Sequence, residues 1–161
     1  MKCSLLLLLC LLPSTILARL GETETQLVAR FGPAVSRTKE ITIAQGKFIE
    51  FGVKLTFQQN NWRVSCAIVE GRSARETYSH VGDWTENQFV TVLTANAQGT
   101  RWTNTSKDQM GKFVREWRRT DGATARWQRG DGMEVTHPAY LRAKDLAEKK
   151  AKAAAAHLPK I

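Results

Sequence analysis

Apolar residues recur with helical spacing in two parts of the chain, and each part begins with a recognisable helix start. Thr23 is followed three residues later by Gln26, and Thr85 is followed in the same way by Gln88. This spacing is the capping box of a helix N-terminus, in which each residue satisfies a free backbone amide of the other. The apolar residues at helical spacing are Leu27, Val28 and Phe31 in the first segment, and Phe89, Val92 and Leu93 in the second. We therefore predict two amphipathic helices.

Apolar and polar residues alternate after each predicted helix, and this alternation predicts antiparallel strands. The dipeptide Asp121-Gly122 predicts a two-residue hairpin turn, which places Trp117 opposite Arg126. The predicted strands are Ile41–Ala44, Lys47–Gln58 and Trp62–Val69 after the first helix, and Lys112–Thr120, Ala123–Arg129 and Met133–Thr136 after the second. The fold class that follows is α+β, with both helices packed on one antiparallel sheet.

Two short sequence similarities indicate an internal repeat, with chance similarity as the alternative. Thr23–Val28 resembles Thr85–Val90, and Gly46–Ile49 resembles Gly111–Val114, at offsets of 62 and 65 residues. Similar offsets in the same order are typical of two copies of one helix-plus-strands unit, here residues 21–70 and 83–137. We predict one domain over residues 19–138. Residues 139–161 are rich in alanine and lysine, which predicts a solvent-exposed C-terminal helical tail.

The first 18 residues have the pattern of a secretory signal peptide. Lys2 precedes the leucine-rich run Leu5–Leu12, and the small residue Ala18 suits a cleavage site. The run is far shorter than the ~20 apolar residues that a membrane-spanning helix needs, so we expect no transmembrane segment in the mature chain. We expect a secreted or periplasmic protein. Cys10 is a poor site for a lipid anchor, because Leu9 occupies the position where lipoprotein signals carry a small residue.

Cleavage after Ala18 leaves Cys66 as the single cysteine of the mature chain, which excludes an intramolecular disulfide. Cys66 alternates with Val64 and Ile68 on the apolar side of a predicted strand. We therefore predict that its thiol is buried and unreactive, since burial disfavours the thiolate.

The chain is basic, and arginine and tryptophan are interleaved in its second half. The formal net charge is +9, and loss of Lys2 with the signal leaves +8. Such a charge is consistent with a soluble basic surface or with an anionic polymer as partner. The candidate ligand surface consists of Trp102, Arg115, Trp117, Arg118 and Arg126. Two interpretations stay open: cross-strand packing on a sheet face, or a surface that clamps anionic groups.

None of the compact motifs for catalysis, metal binding or cofactor binding occurs in the sequence. The best catalytic constellation combines Cys66 as nucleophile with His80 and Asp83. Its placement is poor, because Cys66 is expected to face the core and His80 to lie in a polar loop. We therefore expect a protein that is not an enzyme and that carries no cofactor or metal.

The segment Gly21–Pro33 resembles the opening helix of the SmpA/OmlA and β-lactamase-inhibitor-protein class of small bacterial periplasmic modules. In that class the helix ends in an apolar-Gly-x-Pro turn, whereas here Pro33 follows Gly32 directly. The resemblance implies a non-catalytic role in binding an envelope or secreted protein, or in envelope assembly. It assigns no functional residue.

Overall fold

The computed structural model describes residues 19–106 and 114–156 of the chain. The elements are α1 (Glu24–Phe31), β1 (Ser36–Ala44), β2 (Lys47–Gln59), β3 (Trp62–Val69), β4 (Arg72–His80), α2 (Glu86–Ala95), β5 (Trp102–Asn104), β6 (Val114–Arg119), β7 (Thr124–Gln128), β8 (Gly132–Thr136) and α3 (Pro138–Ala156). The predicted signal peptide and part of the Gly111–Val114 similarity lie outside the described residues. The mixed α+β class is confirmed.

The eight strands form one antiparallel sheet in the order β1-β2-β3-β4-β8-β7-β6-β5. Strands β1–β4 follow α1 and strands β5–β8 follow α2, and the two groups meet where β4 pairs with β8. Each group is therefore a run of sequential neighbours. That the two groups are copies of one unit stays a prediction.

Both predicted capping boxes are present. The Thr23 hydroxyl accepts a hydrogen bond from the Gln26 backbone amide, and Thr85 does the same for Gln88. Leu27 and Phe31 of α1 are buried, as are Phe89 and Val92 of α2. These side chains join one core with the apolar face of the sheet, where Cys66 is fully buried as predicted. We call this side of the sheet the helix face.

The C-terminal helix packs on the opposite side of the sheet, so the prediction of a fully solvent-exposed tail was wrong for its first turns. Tyr140 is buried, its ring centroid lies 5.3 Å from that of Phe51, and its hydroxyl donates to Glu40 Oε1 at 2.6 Å. Small residues such as Ala143 let the helix lie close to the strands. None of the helices in the described ranges is long and apolar enough to cross a membrane.

The sequence-based prediction missed strand residues where the sequence is mostly polar. β1 begins at Ser36 instead of Ile41, and β4 and β5 were not predicted. β4 lacks an apolar alternation because two of its inward positions hold Glu76 and Ser73, both buried. His80 consequently ends a strand and does not lie in a loop.

The turn between β6 and β7 is one residue longer than predicted. The Arg119 amide donates to the Ala123 carbonyl at 2.8 Å, and the Gly122 amide donates to the Arg119 carbonyl at 3.0 Å. Gly122 has φ +87°, the left-handed conformation that closes a three-residue hairpin loop. Trp117 therefore lies opposite Ala125, and the predicted pairing with Arg126 was wrong. A shift of one residue exchanges the faces of the sheet, so Trp117 and Arg126 point to opposite sides.

Candidate binding surfaces

The five residues of the predicted ligand surface do not lie on one face of the sheet. Strand alternation and register place Trp102, Arg115 and Trp117 on the helix face. Arg118 and Arg126 lie on the opposite face and are exposed. The structure therefore separates Arg118 and Arg126 from Arg115 and the two tryptophans.

The three residues on the helix face are occupied by packing interactions. The Trp117 side chain is 7% exposed, with its ring centroid 5.9 Å from that of Phe89. The Arg115 guanidinium lies 4.9 Å from the Phe89 centroid and pairs with Glu86 at 2.5 Å. Trp102 Nε1 donates to the Leu93 carbonyl at 2.8 Å. Each side chain thus stabilises the contact between α2 and strands β5 and β6.

The candidate catalytic residues are not brought together. Cys66 is fully buried, and desolvation raises the pKa of its thiol well above the usual value. His80 lies opposite Trp62, four residues along β3 from Cys66, which corresponds to ~13 Å along the strand. Asp83 is exposed and lies 3.7 Å from Arg129. A thiolate–imidazole pair is excluded by this separation; that Cys66 is unreactive stays a prediction.

A buried polar cluster that no sequence motif signalled lies beside Cys66. The Glu76 carboxylate accepts hydrogen bonds from Ser73 Oγ at 2.7 Å and from the Tyr78 hydroxyl at 2.6 Å. Asn96 at the end of α2 donates to that hydroxyl at 3.0 Å and accepts from the Leu20 amide at 2.9 Å. Desolvation raises the pKa of Glu76 to about 7. The cluster is enclosed, so it links β4 to α2 and the Leu20 segment and offers no surface to a ligand.

Arg119 forms a second buried polar link, between the β6–β7 turn and the end of α2. Its guanidinium donates to both oxygens of Asp121, to Gln98 Oε1 and to the Asn96 carbonyl. The hydrogen bonds from Arg119 lower the pKa of Asp121 to about 2. His137 lies 3.8 Å from Asp121, and its partial desolvation lowers the pKa of its imidazole. These contacts are structural, because each nitrogen of the Arg119 guanidinium donates to a group of the protein itself.

The hairpin of β1 and β2 projects beyond the rest of the sheet. β3 begins to pair with β2 only at Val53, so residues 41–50 form a ribbon of two strands. One side of the ribbon is held by α3, where Thr42 Oγ1 donates to Glu148 at 2.6 Å. The other side carries three apolar side chains that are exposed to 47%, 64% and 73%: Ile41, Ile43 and Phe48. We call these three residues the hairpin patch.

The side of the sheet opposite the helix face is mostly polar where α3 does not cover it, with Val114 as an apolar exception. One cross-strand row on this side runs over seven strands and consists of Ser36, Thr56, Ser65, Thr77, Glu134, Arg126 and Glu116. Lys54, Arg63, Arg118 and Thr103 flank the row. We call these residues together the open face.

Among residues 19–106 and 114–156 no three His, Cys, Asp or Glu side chains converge in a way that could hold a metal ion. No family model, curated protein or solved structure matches this chain. The resemblance of Gly21–Pro33 to the SmpA/OmlA class therefore stays a prediction. The class of protein that the fold itself defines is a helix-on-sheet α+β domain with a projecting hairpin.

Proposed function

We propose that this protein is a non-catalytic exported module of the bacterial periplasm or envelope that binds a partner protein through the hairpin patch. The observation that supports this proposal is the exposed apolar cluster on one side of the projecting ribbon, beside the Lys39–Glu50 ion pair. Ile43 and Phe48 lie directly opposite each other on its two strands, and Ile41 follows on the same side. The partner is expected to offer an apolar depression that takes the Phe48 ring.

Two physical arguments support an interface at this place. An isolated two-stranded ribbon is marginally stable in water, and here only one of its sides is packed. Clustered large apolar side chains on a surface are typical of interaction sites, whereas single ones are ordinary. In addition, β1 is the edge strand of the sheet and is nine residues long, so a partner segment has room to pair with it.

The chemistry of the interior supports a binding role over catalysis. Cys66, Glu76 and Tyr78, whose pKa values burial raises, are fully buried and bonded to or packed against one another. A catalytic group has to reach its substrate, and these side chains do not reach a surface. Their arrangement suits a rigid scaffold.

The experiment that tests the proposal is crosslinking and affinity capture from envelopes of the native host, with the Ile43→Ser/Phe48→Ser variant beside the natural chain. We expect one stoichiometric protein partner with the natural chain and a loss of that partner with the variant. Val81→Ser is the control, because Val81 lies outside the hairpin patch and is 79% exposed. Equal capture by all three chains, at equal melting temperatures, would show that the hairpin patch is not the interface.

The proposal includes two finer points about the chain. The signal is cleaved after Ala18, which intact-mass measurement of the protein from its host tests: a mass that retains residues 1–18 or a lipid adduct contradicts it. The two groups of strands are copies of one unit, which is supported by their equal element order and by the capping box at each helix.

A further inference from the structure

We infer that the open face binds a linear anionic polysaccharide that lies across the strands. This site is separate from the hairpin patch of the proposed function, because the patch lies on the other side of the sheet. It also differs from the arginine–tryptophan surface predicted from the sequence, since it contains Arg118 and Arg126 but none of the tryptophans.

Within the described ranges, some charged side chains of the open face have an ion-pair partner and others have none. Arg126 lies 3.5 Å from Glu116, and Glu134 lies 3.9 Å from Arg75. Lys54, Arg63 and Arg118 have no ion-pair partner among the residues that the structure describes. The face therefore presents three cations that are free to pair with anionic groups of a ligand.

The spacing of these cations fits an extended ligand. Lys54 on β2 and Arg118 on β6 are five strand spacings apart in the sheet, which corresponds to ~24 Å. Arg63 lies opposite Gln58, which is four residues along β2 from Lys54 and so displaced by ~13 Å. A single small anion cannot reach all three positions, whereas a chain with repeated negative groups can.

The side chains between the cations favour a sugar polymer over a nucleic acid. Hydroxyl groups of Thr56, Ser65 and Thr77 lie side by side along the row, with Thr56 Oγ1 and Ser65 Oγ 3.2 Å apart. Hydroxyls can exchange hydrogen bonds with sugar hydroxyls. Unpaired nucleobases are held by stacking on aromatic side chains, and among the residues of the open face there is no aromatic ring.

The test is binding of fluorescent polygalacturonate to the full chain, measured by anisotropy as the salt concentration rises. We expect binding at low salt that weakens steeply toward physiological salt, because exposed ion pairs are screened. Replacing Lys54, Arg63 and Arg118 together by serine should weaken binding about tenfold or more. The matched control replaces Arg142, Lys144 and Lys152 of α3 by serine. These three residues are exposed, and their replacement removes the same net charge. The control variant should weaken binding far less.

Three outcomes would overturn the inference. Equal weakening by the two triple variants would show that binding follows net charge and not the open face. If polygalacturonate does not bind at low salt, the open face does not bind linear anionic polysaccharides. Tighter binding of single-stranded DNA than of polygalacturonate at equal charge would assign the face to nucleic acid. The Lys54/Arg63/Arg118 variant should still capture the protein partner, because its hairpin patch is unchanged. Failure of the polysaccharide inference can therefore be distinguished from failure of the proposed function.

Discussion

Glu76 should make the stability of the protein fall as the pH rises through neutrality. Burial raises the pKa of this carboxyl from its ordinary value of 4.5 to about 7 in the folded protein. The folded state therefore favours the protonated form, and its stabilising contribution is fully present below pH 4.5 and lost as the pH rises through about 7. At 1.36 kcal/mol per pKa unit, the shift corresponds to about 3 kcal/mol of unfolding free energy lost between acidic and mildly alkaline pH.

The groups around Glu76 set both the size and the sign of this effect. Ser73 and Tyr78 donate to the carboxylate and so lower its pKa, but desolvation outweighs them, and the nearby charge of Glu22 raises the pKa further. Cys66 lies opposite Glu76, but burial raises the pKa of its thiol, so it stays neutral in this range. His137 acts with the opposite sign: its lowered pKa contributes stability above the ordinary value of 6.5 that is lost as the pH falls.

Comparison with Glu76→Gln isolates the contribution of this one carboxyl. Urea unfolding of both proteins from pH 5 to pH 8.5 gives two curves of unfolding free energy, and His137 contributes equally to both. Gln cannot ionise, so we expect the natural chain to lose about 2.5 kcal/mol relative to the variant over this range. Glu134→Gln, an exposed carboxyl on the neighbouring strand, is the control and should leave the slope unchanged. Parallel curves for the natural chain and Glu76→Gln would refute the reasoning.

Two further predictions use matched neighbours as controls in the same unfolding assay. Trp117→Ala should lower the unfolding free energy by about 3–5 kcal/mol, because it empties a buried aromatic site, whereas Arg118→Ala beside it should change it by less than about 0.5 kcal/mol; similar values for both would contradict the burial of Trp117. Gly132→Ala should lower the unfolding free energy far more than Gly130→Ala, although both glycines have φ +89°. A Cβ at Gly132 would lie 2.2 Å from the Tyr78 carbonyl oxygen, whereas one at Gly130 would meet nothing within 4 Å. Gly130→Ala should lower the unfolding free energy by about 1–2 kcal/mol, as expected from its left-handed backbone alone. Equal losses of unfolding free energy in the two variants would mean that β8 does not approach β4 this closely.

The helices and most strands could be predicted from the sequence because each has a local cause. The Thr23 and Thr85 capping boxes act within four residues, and the alternation around Cys66 reflects burial of one side of one strand. β4 was missed because the burial of Glu76 depends on Ser73, Tyr78 and Asn96, and Asn96 is contributed by a different element. The sequence around a carboxylate in a polar segment does not indicate that residues of other elements will donate hydrogen bonds to it and allow its burial.

The candidate surfaces were harder to predict for a related reason. The extra residue in the loop at Gly122 places Arg126 on the side of the sheet away from Trp117. Arg118 lies on that side as well, because it directly follows Trp117 in β6 and successive strand residues point to opposite faces. The hairpin patch had no sequence signal, because Ile41 and Phe48 look like ordinary inward residues of a strand. Their exposure follows from where β3 begins to pair with β2, which is a property of the sheet and not of the hairpin.

The relative position of the two proposed sites has a consequence for how they act together. The hairpin patch lies on the helix-face side of the ribbon, at the β1 edge of the sheet, whereas Arg118 lies on the other side, next to the β5 edge. A ligand on the open face therefore leaves the hairpin patch accessible, and a partner on the patch leaves Arg118 accessible. The buried bonds of Glu76 and Arg119 hold β4, α2 and β6 together between the two sites. Such an arrangement suits a rigid adaptor that holds a protein partner near an anionic polymer, and the two binding events should be independent of each other in affinity.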